Sequence, residues 1–560
     1  MLRKPFICLV AFLCLSSIGK AQTDYNNVPE VTTKIFINDV YIYQTARDSF
    51  GLGDILIDDG IIKNISAEIP VPVDAKIIEG DSAFVYPAFI DAYSHTAIPK
   101  PERSNERPDV KFRGYPPNDV AGITPEVLAV DALSEKDASI KKMVESGFAV
   151  VHSAPRGRML PGQGAVISLN GKSKEEMIID GAHSLVFQLT GARGVYPSTV
   201  IGVMSKWREM YKNAILYNEN MDKYTEMPQG NSRPAHDPVL QALVPATKKQ
   251  NAVYAYAQNA KDVYRQLALK EELGYKLVLV DVKQADPALT ALKNEDVSII
   301  LSLDLPSEEK KKKDKKDASE EEAKGDEETE KLIERKTQAI EEYVAQAARL
   351  EAQGIDFAFS TNSIKLSKLK ENLKRMVESG LSQEAALDAL TINAAKLLGI
   401  NDVTGSIHNG KLANLIICTD AYFDENSNIK YVLVEGQITE NEIKKKKEGK
   451  AGAMDNILGE WRYSVDVMGE INSGKMVISQ NEGVAKLLIV PDDGDGEVSA
   501  SDVVFEDGNF SCSLQIVDEG ATLNIVLKLD FEESSFSGTA IIGDLGTFPI
   551  EGNKITTPEK

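Results

Sequence analysis

Eight short apolar runs, spaced through the middle of the chain and separated by helical patterns, constrain the fold more than any other feature. They are Phe84–Asp91, Phe148–Ser153, Ala165–Leu169, Leu185–Leu189, Val253–Ala257, Lys276–Val280, Val297–Leu303 and Asp356–Ser360. Strand-length apolar runs that alternate with amphipathic helices favour a parallel sheet with helical crossovers. Eight such units are the arithmetic of a (β/α)8 TIM barrel, here over residues 83–402, with any active site expected at the C-terminal ends of the strands. A Glu/Lys tract, residues 307–330, follows the seventh run. Its blocked charges and scarcity of apolar side chains read as a disordered or solvated helical insertion.

At 560 residues the chain is too long for one core. After a lysine run at Lys444–Lys447, residues 454–554 change character to short alternating runs joined by Asp/Gly turns. They predict a C-terminal all-β domain, a small antiparallel barrel or sandwich of about eight strands. A barrel of that size is filled by side chains or holds one small ligand. Within it, Asp492–Glu497 lacks the spacing of an EF-hand and reads as a polar hairpin turn.

The net charge of −22 and a pI near 4.9 argue against nucleic acid and anionic membrane surfaces as partners. Arg3 and Lys4, the apolar run Phe6–Ile18 and Gly19-Lys20-Ala21 before Gln22 have the form of a secretory signal over residues 1–21. The apolar run is too short to span a bilayer. The expected location is therefore periplasmic or extracellular, with no membrane anchor after cleavage. Cys8 and Cys14 leave with the signal, and Cys418 and Cys512 fall in different predicted domains, so a disulfide framework is not expected. Only five histidines occur, His95, His152, His183, His236 and His408, and that scarcity bears on any metal site.

The first run ends in Tyr86-Pro-Ala-Phe-Ile-Asp-Ala-Tyr-Ser-His95. This resembles the amidohydrolase-superfamily signature P-G-[LF]-I-D-x-H-x-H, with Tyr93 where the first metal-binding histidine stands. Further along, Gly380–Gly399 is similar to the motif that follows the eighth barrel strand in that family. Gly405-Ser-Ile-His-Asn-Gly-Lys-Leu-Ala-Asn-Leu resembles the second half of its split β-sandwich. The resemblance implies that residues 33–82 and 403–440 form one composite β-sandwich flanking the barrel.

Relatives resembling imidazolonepropionases carry metal ligands that can be followed position by position. The strand-five histidine falls on Tyr256, the strand-six histidine on Asp281 and the strand-eight aspartate on Asn362. His183–Thr190, the fourth-strand region, contains no lysine to carbamylate. Of the ligand positions only His95 is unchanged, and only Asp281 is another plausible ligand. A catalytic zinc normally needs three protein ligands and an open position, and a neutral amide such as Asn362 cannot serve as the general base. Tyr93 and Tyr256 are expected to fill the vacated metal cavity with their rings. The stretch Gly147–Val166 resembles a loop that covers the active site in the family, and its Arg156 and Arg158 are candidates for binding an anionic ligand.

These features imply an exported, metal-free and catalytically impaired homologue that acts as a partner or binding scaffold, with no cofactor. One alternative is an active hydrolase of non-peptide C–N bonds, in cyclic amides, imides or dipeptide-like substrates. It would need zinc on a site rebuilt from His95 and Asp281. Another is small-ligand or glycan binding by the C-terminal β domain. Expected partners are a second copy of the chain or an intact amidohydrolase barrel.

Overall fold

The computed structural model describes residues 33–100, 109–286, 289–294, 297–306, 320–441 and 457–555, the last without 468–469, 482–483, 493–496, 507–508, 519–520, 532–534 and 543–545. The signal segment, residues 307–319 of the charged tract, the lysine run and most of Asp492–Glu497 lie outside the described residues. The chain divides into two compact units, residues 1–443 and 444–560.

The first unit holds two sheets. One takes strands from both sides of the barrel: β1 (Ile35–Tyr43), β2 (Ser49–Asp58), β3 (Ile61–Ser66), β4 (Lys76–Glu79) and β5 (Phe84–Pro87) come before it. The barrel strands are β6 (Phe89–Ser94), β7 (Phe148–Ser153), β8 (Gly162–Ser168), β9 (Ile178–Phe187), β10 (Ala252–Tyr256), β11 (Leu277–Val282), β12 (Val297–Ser302) and β13 (Phe357–Ser360). After it come β14 (Leu415–Cys418), β15 (Ile429–Val434) and β16 (Gln437–Glu440), and the flanking order is β16-β15-β14-β5-β1-β2-β3, with β4 on β1.

Two tight hairpins tie the early and late halves of the flanking sheet together. Asp59-Gly60 and Glu435-Gly436 all have positive φ, the two-residue turn that matches strand twist. They face each other so closely that a Cβ on Gly60 would lie 2.6 Å from the Glu435 carbonyl oxygen. Glycine is needed there for space as well as for φ.

In the barrel-like sheet, neighbours run in chain order from β6 to β13. Each predicted run overlaps one of these strands, but the strictly parallel (β/α)8 expectation needs correcting. β8 pairs antiparallel with both β7 and β9, while every other neighbouring pair is parallel. The reason is length. Residues 154–161 alone join β7 to β8, and a parallel crossover needs a dozen or more residues.

Helices supply the longer connections, including Val200–Glu226, Ala260–Leu273 and Glu320–Val344. The second of these is bounded as its sequence suggests: Asn259 Oδ1 caps its first turn, and Gly274 ends it in the left-handed region. Among the described residues no backbone ladder joins β13 to β6. Side chains bridge that gap instead: Ser360 Oγ donates to the Tyr93 carbonyl at 2.7 Å, and Thr361 Oγ1 to Asp91 Oδ2 at 2.5 Å.

The second unit is a nine-stranded antiparallel sheet, one strand more than predicted. The ends of its order are Val498–Ser499 and Ser501–Glu506, separated in the chain by Ala500 alone, so the sheet curls back on itself. Trp461, Phe510, Phe536 and aliphatic side chains fill its interior.

Candidate functional site

Asp91, on β6, is fully buried. Its Oδ1 accepts from the backbone N–H groups of Tyr93 (3.2 Å) and Thr361 (3.0 Å), and its Oδ2 from Thr361 Oγ1. Burial pushes its pKa up to about 6, against the pull of these hydrogen bonds. The signature aspartate therefore latches the first barrel strand to the last.

A stack of rings runs from the mouth into the barrel. Tyr93, 1% exposed, lies 5.8 Å from the His95 ring and 5.6 Å from that of His152. His152 stacks on Tyr254 at 4.6 Å and lies 5.6 Å from His183. At the far end His183 Nε2 pairs with the Tyr254 hydroxyl and its Nδ1 with Asp180, both at 3.1 Å. Burial lowers the pKa of His152 and raises those of Tyr93 and Tyr254, so all three are neutral near pH 7.

At the strand C-terminal ends the structure gathers Tyr93, His95, Tyr256, Asp281 and Asn362, although they come from four strands. His95 Nδ1 lies 2.7 Å from the Ala154 carbonyl. A carbonyl only accepts, so Nδ1 carries the proton and Nε2 offers a lone pair. Burial lowers the His95 pKa to about 4, which keeps the ring neutral.

Asp281, fully buried, receives nearly all its donors on one oxygen. Oδ2 accepts from Tyr256 Oη (2.8 Å), Gln258 Nε2 (3.1 Å) and Ser363 Oγ (3.1 Å), with Asn362 Nδ2 at a marginal 3.5 Å. Oδ1 is buried without a partner among the described residues. Asp281 also has φ +55°, unusual for a residue other than glycine. Such strain costs on the order of 1–3 kcal/mol, and an unsatisfied buried acceptor costs roughly as much again.

The two loop arginines separate. Arg156 sits near Tyr93 and His95, where desolvation lowers its pKa, and its Nε is buried without a partner. Arg158 is exposed, and its Nη1 donates to the Gly191 carbonyl at 2.8 Å. A second shelf borders the mouth: Lys283 pairs with Asp304 at 2.5 Å, and Tyr343 donates to the Asp304 carbonyl at 2.8 Å.

This donor set does not fit a zinc ion. No group of three or more His, Cys, Asp or Glu side chains is placed to hold a metal among the described residues, and a catalytic zinc normally takes three. Burial pushes both tyrosine hydroxyls further from the phenolate form, and Tyr256 already spends its proton on Asp281.

Gln258 and Ser363 were not singled out by sequence, though simple signals pointed to them. Gln258 follows Tyr256 by two residues, the strand repeat, and Ser363 adjoins Asn362. Tyr343 arrives from a distant helix and had no such signal.

In the C-terminal unit a groove of about 540 Å³ crosses the strands Gly459–Val467, Glu470–Asn481, Ser535–Ile542 and Gly546–Lys554. Arg462, Ser464, Ser537, Glu551 and Asn553 are among its lining residues. Most of its lining side chains are polar, with Tyr463 and Phe536 also at its wall.

Residues 261–439 match the family model described as the amidohydrolase family. The chain is similar to the crystal structure of an amidohydrolase from Thermotoga maritima MSB8 at 21% identity and a TM-score of 0.59, covering 73% of this chain and all of that one. At that identity the likeness speaks for the fold. A Xaa-Pro dipeptidase with bound methionine (16% identity, TM-score 0.42, 73% and 100% coverage) is too distant to argue from. So is a zinc-bound adenosine deaminase from Xanthomonas campestris (11%, 0.39, 72% and 92%). Comparison with curated proteins finds no match. No helix among the described residues is long and apolar enough to cross a membrane.

Proposed function

We propose that this chain, whose residues 261–439 match the amidohydrolase family model, is an exported, metal-free and catalytically impaired member of that superfamily that works by binding. The observation that carries this reading is the Tyr256–Asp281 pair. A hydrogen bond of 2.8 Å from Tyr256 occupies Oδ2 of Asp281, the only carboxylate among the positions that the resemblance matches to metal ligands, and the same resemblance sets Tyr93 where a histidine is expected. Without a metal-bound water the site has no activated nucleophile, and Asn362 offers no base for one. The surface around the mouth would then serve a ligand or a partner, either a second copy of this chain or an intact amidohydrolase barrel. The test is metal content after expression in zinc-supplemented medium and gel filtration without chelator. Less than a tenth of an equivalent of zinc per chain is expected, and one equivalent overturns the reading.

A second reading keeps the family's chemistry, hydrolysis of a C–N bond, with His95 Nε2 and Asp281 as the remnant of a site. It is favoured by the unpartnered Oδ1 of Asp281. Zinc-dependent turnover lost on His95→Ala would establish it. The polar groove of the C-terminal unit supports a separate small-ligand or glycan site. Binding of an oligosaccharide that survives Asp281→Asn and is lost on Glu551→Ala would locate it there.

A further inference from the structure

We infer that an exposed shelf of loops at the barrel mouth, around Phe112, Arg113, Tyr115, Arg158 and Arg193, docks an acidic polypeptide segment of a separate partner protein. The inference rests on the reading of this chain as a binding protein and names the chemistry of its partner.

The shelf comes from three connections that leave the same end of the barrel. They follow β6, β7 and β9, which run in one direction: β6 is parallel to β7, and β8 is antiparallel to both β7 and β9. Hydrogen bonds lock the connections to one another. The Tyr196 N–H donates to the Arg113 carbonyl at 2.8 Å, joining the third to the first. Arg158 Nη1 donates to the Gly191 carbonyl at 2.8 Å, joining the second to the third. The Leu160 N–H donates to the Gly122 carbonyl at 2.9 Å, joining the second to the first. The surface is thus assembled before a partner arrives, so docking spends little on ordering its backbone.

Two kinds of side chain stand on this shelf. The Tyr115 N–H donates to the Phe112 carbonyl at 3.0 Å, closing a turn, and Phe112 is 63% exposed and Tyr115 91%. Two aromatic rings therefore stand in solvent at one turn. The chain as a whole carries 85 Asp and Glu against 63 Lys and Arg, yet Lys111, Arg113, Arg158 and Arg193 gather here, all exposed. Lys111 lies 5.3 Å from the centre of the Phe112 ring. None of the four cations has a carboxylate partner among the described residues, and Asp109 and Asp119 of the same stretch pair with none of them. Arginine beside exposed aromatic rings is the composition of an interface core rather than of open surface.

The occupant follows from that chemistry. Four uncompensated cations call for carboxylates, and the two rings call for apolar or aromatic side chains among them. A polypeptide segment that mixes both satisfies the whole shelf. The net charge of −22 opposes dense polyanions such as nucleic acid and anionic membranes, and it opposes a second copy of the same chain. A few carboxylates in direct contact escape most of that field, because charges beyond about 8 Å are screened at physiological salt.

The experiment uses the full mature chain with its zinc content measured first. The probes are fluorescein-labelled polyglutamate and a glutamate–tyrosine copolymer of the same length, followed by anisotropy. The copolymer is expected to bind with saturation, and polyglutamate at least tenfold more weakly. Arg113→Ser with Arg193→Ser, and Phe112→Ser with Tyr115→Ser, are each expected to weaken the copolymer tenfold or more. Lys396→Ser, on the helix Ile392–Leu397, should leave it unchanged. Unchanged melting midpoints check that both pairs fold, and the comparison of the two probes on the unaltered chain stands even if one does not. No copolymer binding, equal binding of the two probes, or binding that neither pair weakens overturns the inference. So does a single-stranded oligonucleotide or a phosphatidylserine vesicle that binds as tightly and is lost on the same pairs. Self-association lost on those pairs gives the shelf to a second copy and overturns it too. One equivalent of zinc in the starting protein refutes the parent reading instead, so the two failures are distinct.

Discussion

Asp91 and Asp281 are both fully buried carboxylates in one barrel, and they are treated in opposite ways. Asp91 has both oxygens occupied and sits in ordinary backbone geometry; it holds β6 to β13. Asp281 has one oxygen crowded, the other unpartnered, and a left-handed φ. Burial alone therefore does not tell a structural acid from a functional one. What separates the two is the distribution of hydrogen bonds: Asp91 uses both oxygens, and Asp281 leaves Oδ1 without a partner among the described residues.

The largest expected effect breaks the latch. Asp91→Ala leaves the Tyr93 and Thr361 N–H groups unsatisfied and should cost the barrel about 3 kcal/mol. The measurement is denaturant unfolding in a Trp461→Phe background, so that Trp207 alone reports on the first unit. A loss below about 1 kcal/mol would show that the latch is dispensable.

Next comes the packing of the ring stack below the mouth. A Cβ on Gly164 would lie 2.5 Å from His152 Nε2 and 2.7 Å from Ser184 Oγ. Gly164→Ala should therefore cost roughly 1–3 kcal/mol by overpacking. An unchanged midpoint in the same assay would mean that the stack has room to move.

The pH dependence sharpens the comparison, because neighbouring groups pull in opposite directions. Asp91, raised from 3.8 to about 6, holds its proton more tightly when folded, so its contribution falls as pH rises through that window. His95, lowered from 6.5 to about 4, rejects a proton that the unfolded chain accepts, so stability falls as pH drops from 6.5 towards 4. His152 acts in the same direction as His95. Asp91→Asn should therefore steepen the loss of stability between pH 6 and 4.5, and His95→Gln should reduce it. Parallel melting curves for all three proteins across that range would contradict both assignments.

The smallest effect is expected at Asp281 itself. Asparagine tolerates positive φ, and losing an unpartnered charge offsets the weakened contacts to Tyr256 and Ser363. Asp281→Asn should change stability by less than about 1 kcal/mol. A loss comparable to that of Asp91→Ala would make Asp281 a structural residue and remove the contrast.

Much of the architecture was legible because it rests on local patterns. Apolar runs of strand length marked every barrel strand, and the separation of Tyr93, Tyr256, Asp281 and Asn362 along those runs placed them at the same end of the sheet. The direction of β8 was legible too, since residues 154–161 are too few for a crossover, but counting runs without measuring their connections hid it. Sequence also supplied the residue types at those strand ends, because identity there needs no coordinates.

Only the tertiary structure decided how those residues treat one another. That Asp281 has one oxygen saturated and the other buried without a partner depends on Tyr256 and Gln258 from one chain segment and Ser363 from another converging on it to within about 3 Å. That Arg156 rather than Arg158 faces the rings depends on how one short loop folds. Periodicity fixes which face a side chain occupies, whereas hydrogen bonding is a matter of tenths of an ångström between segments far apart in the chain.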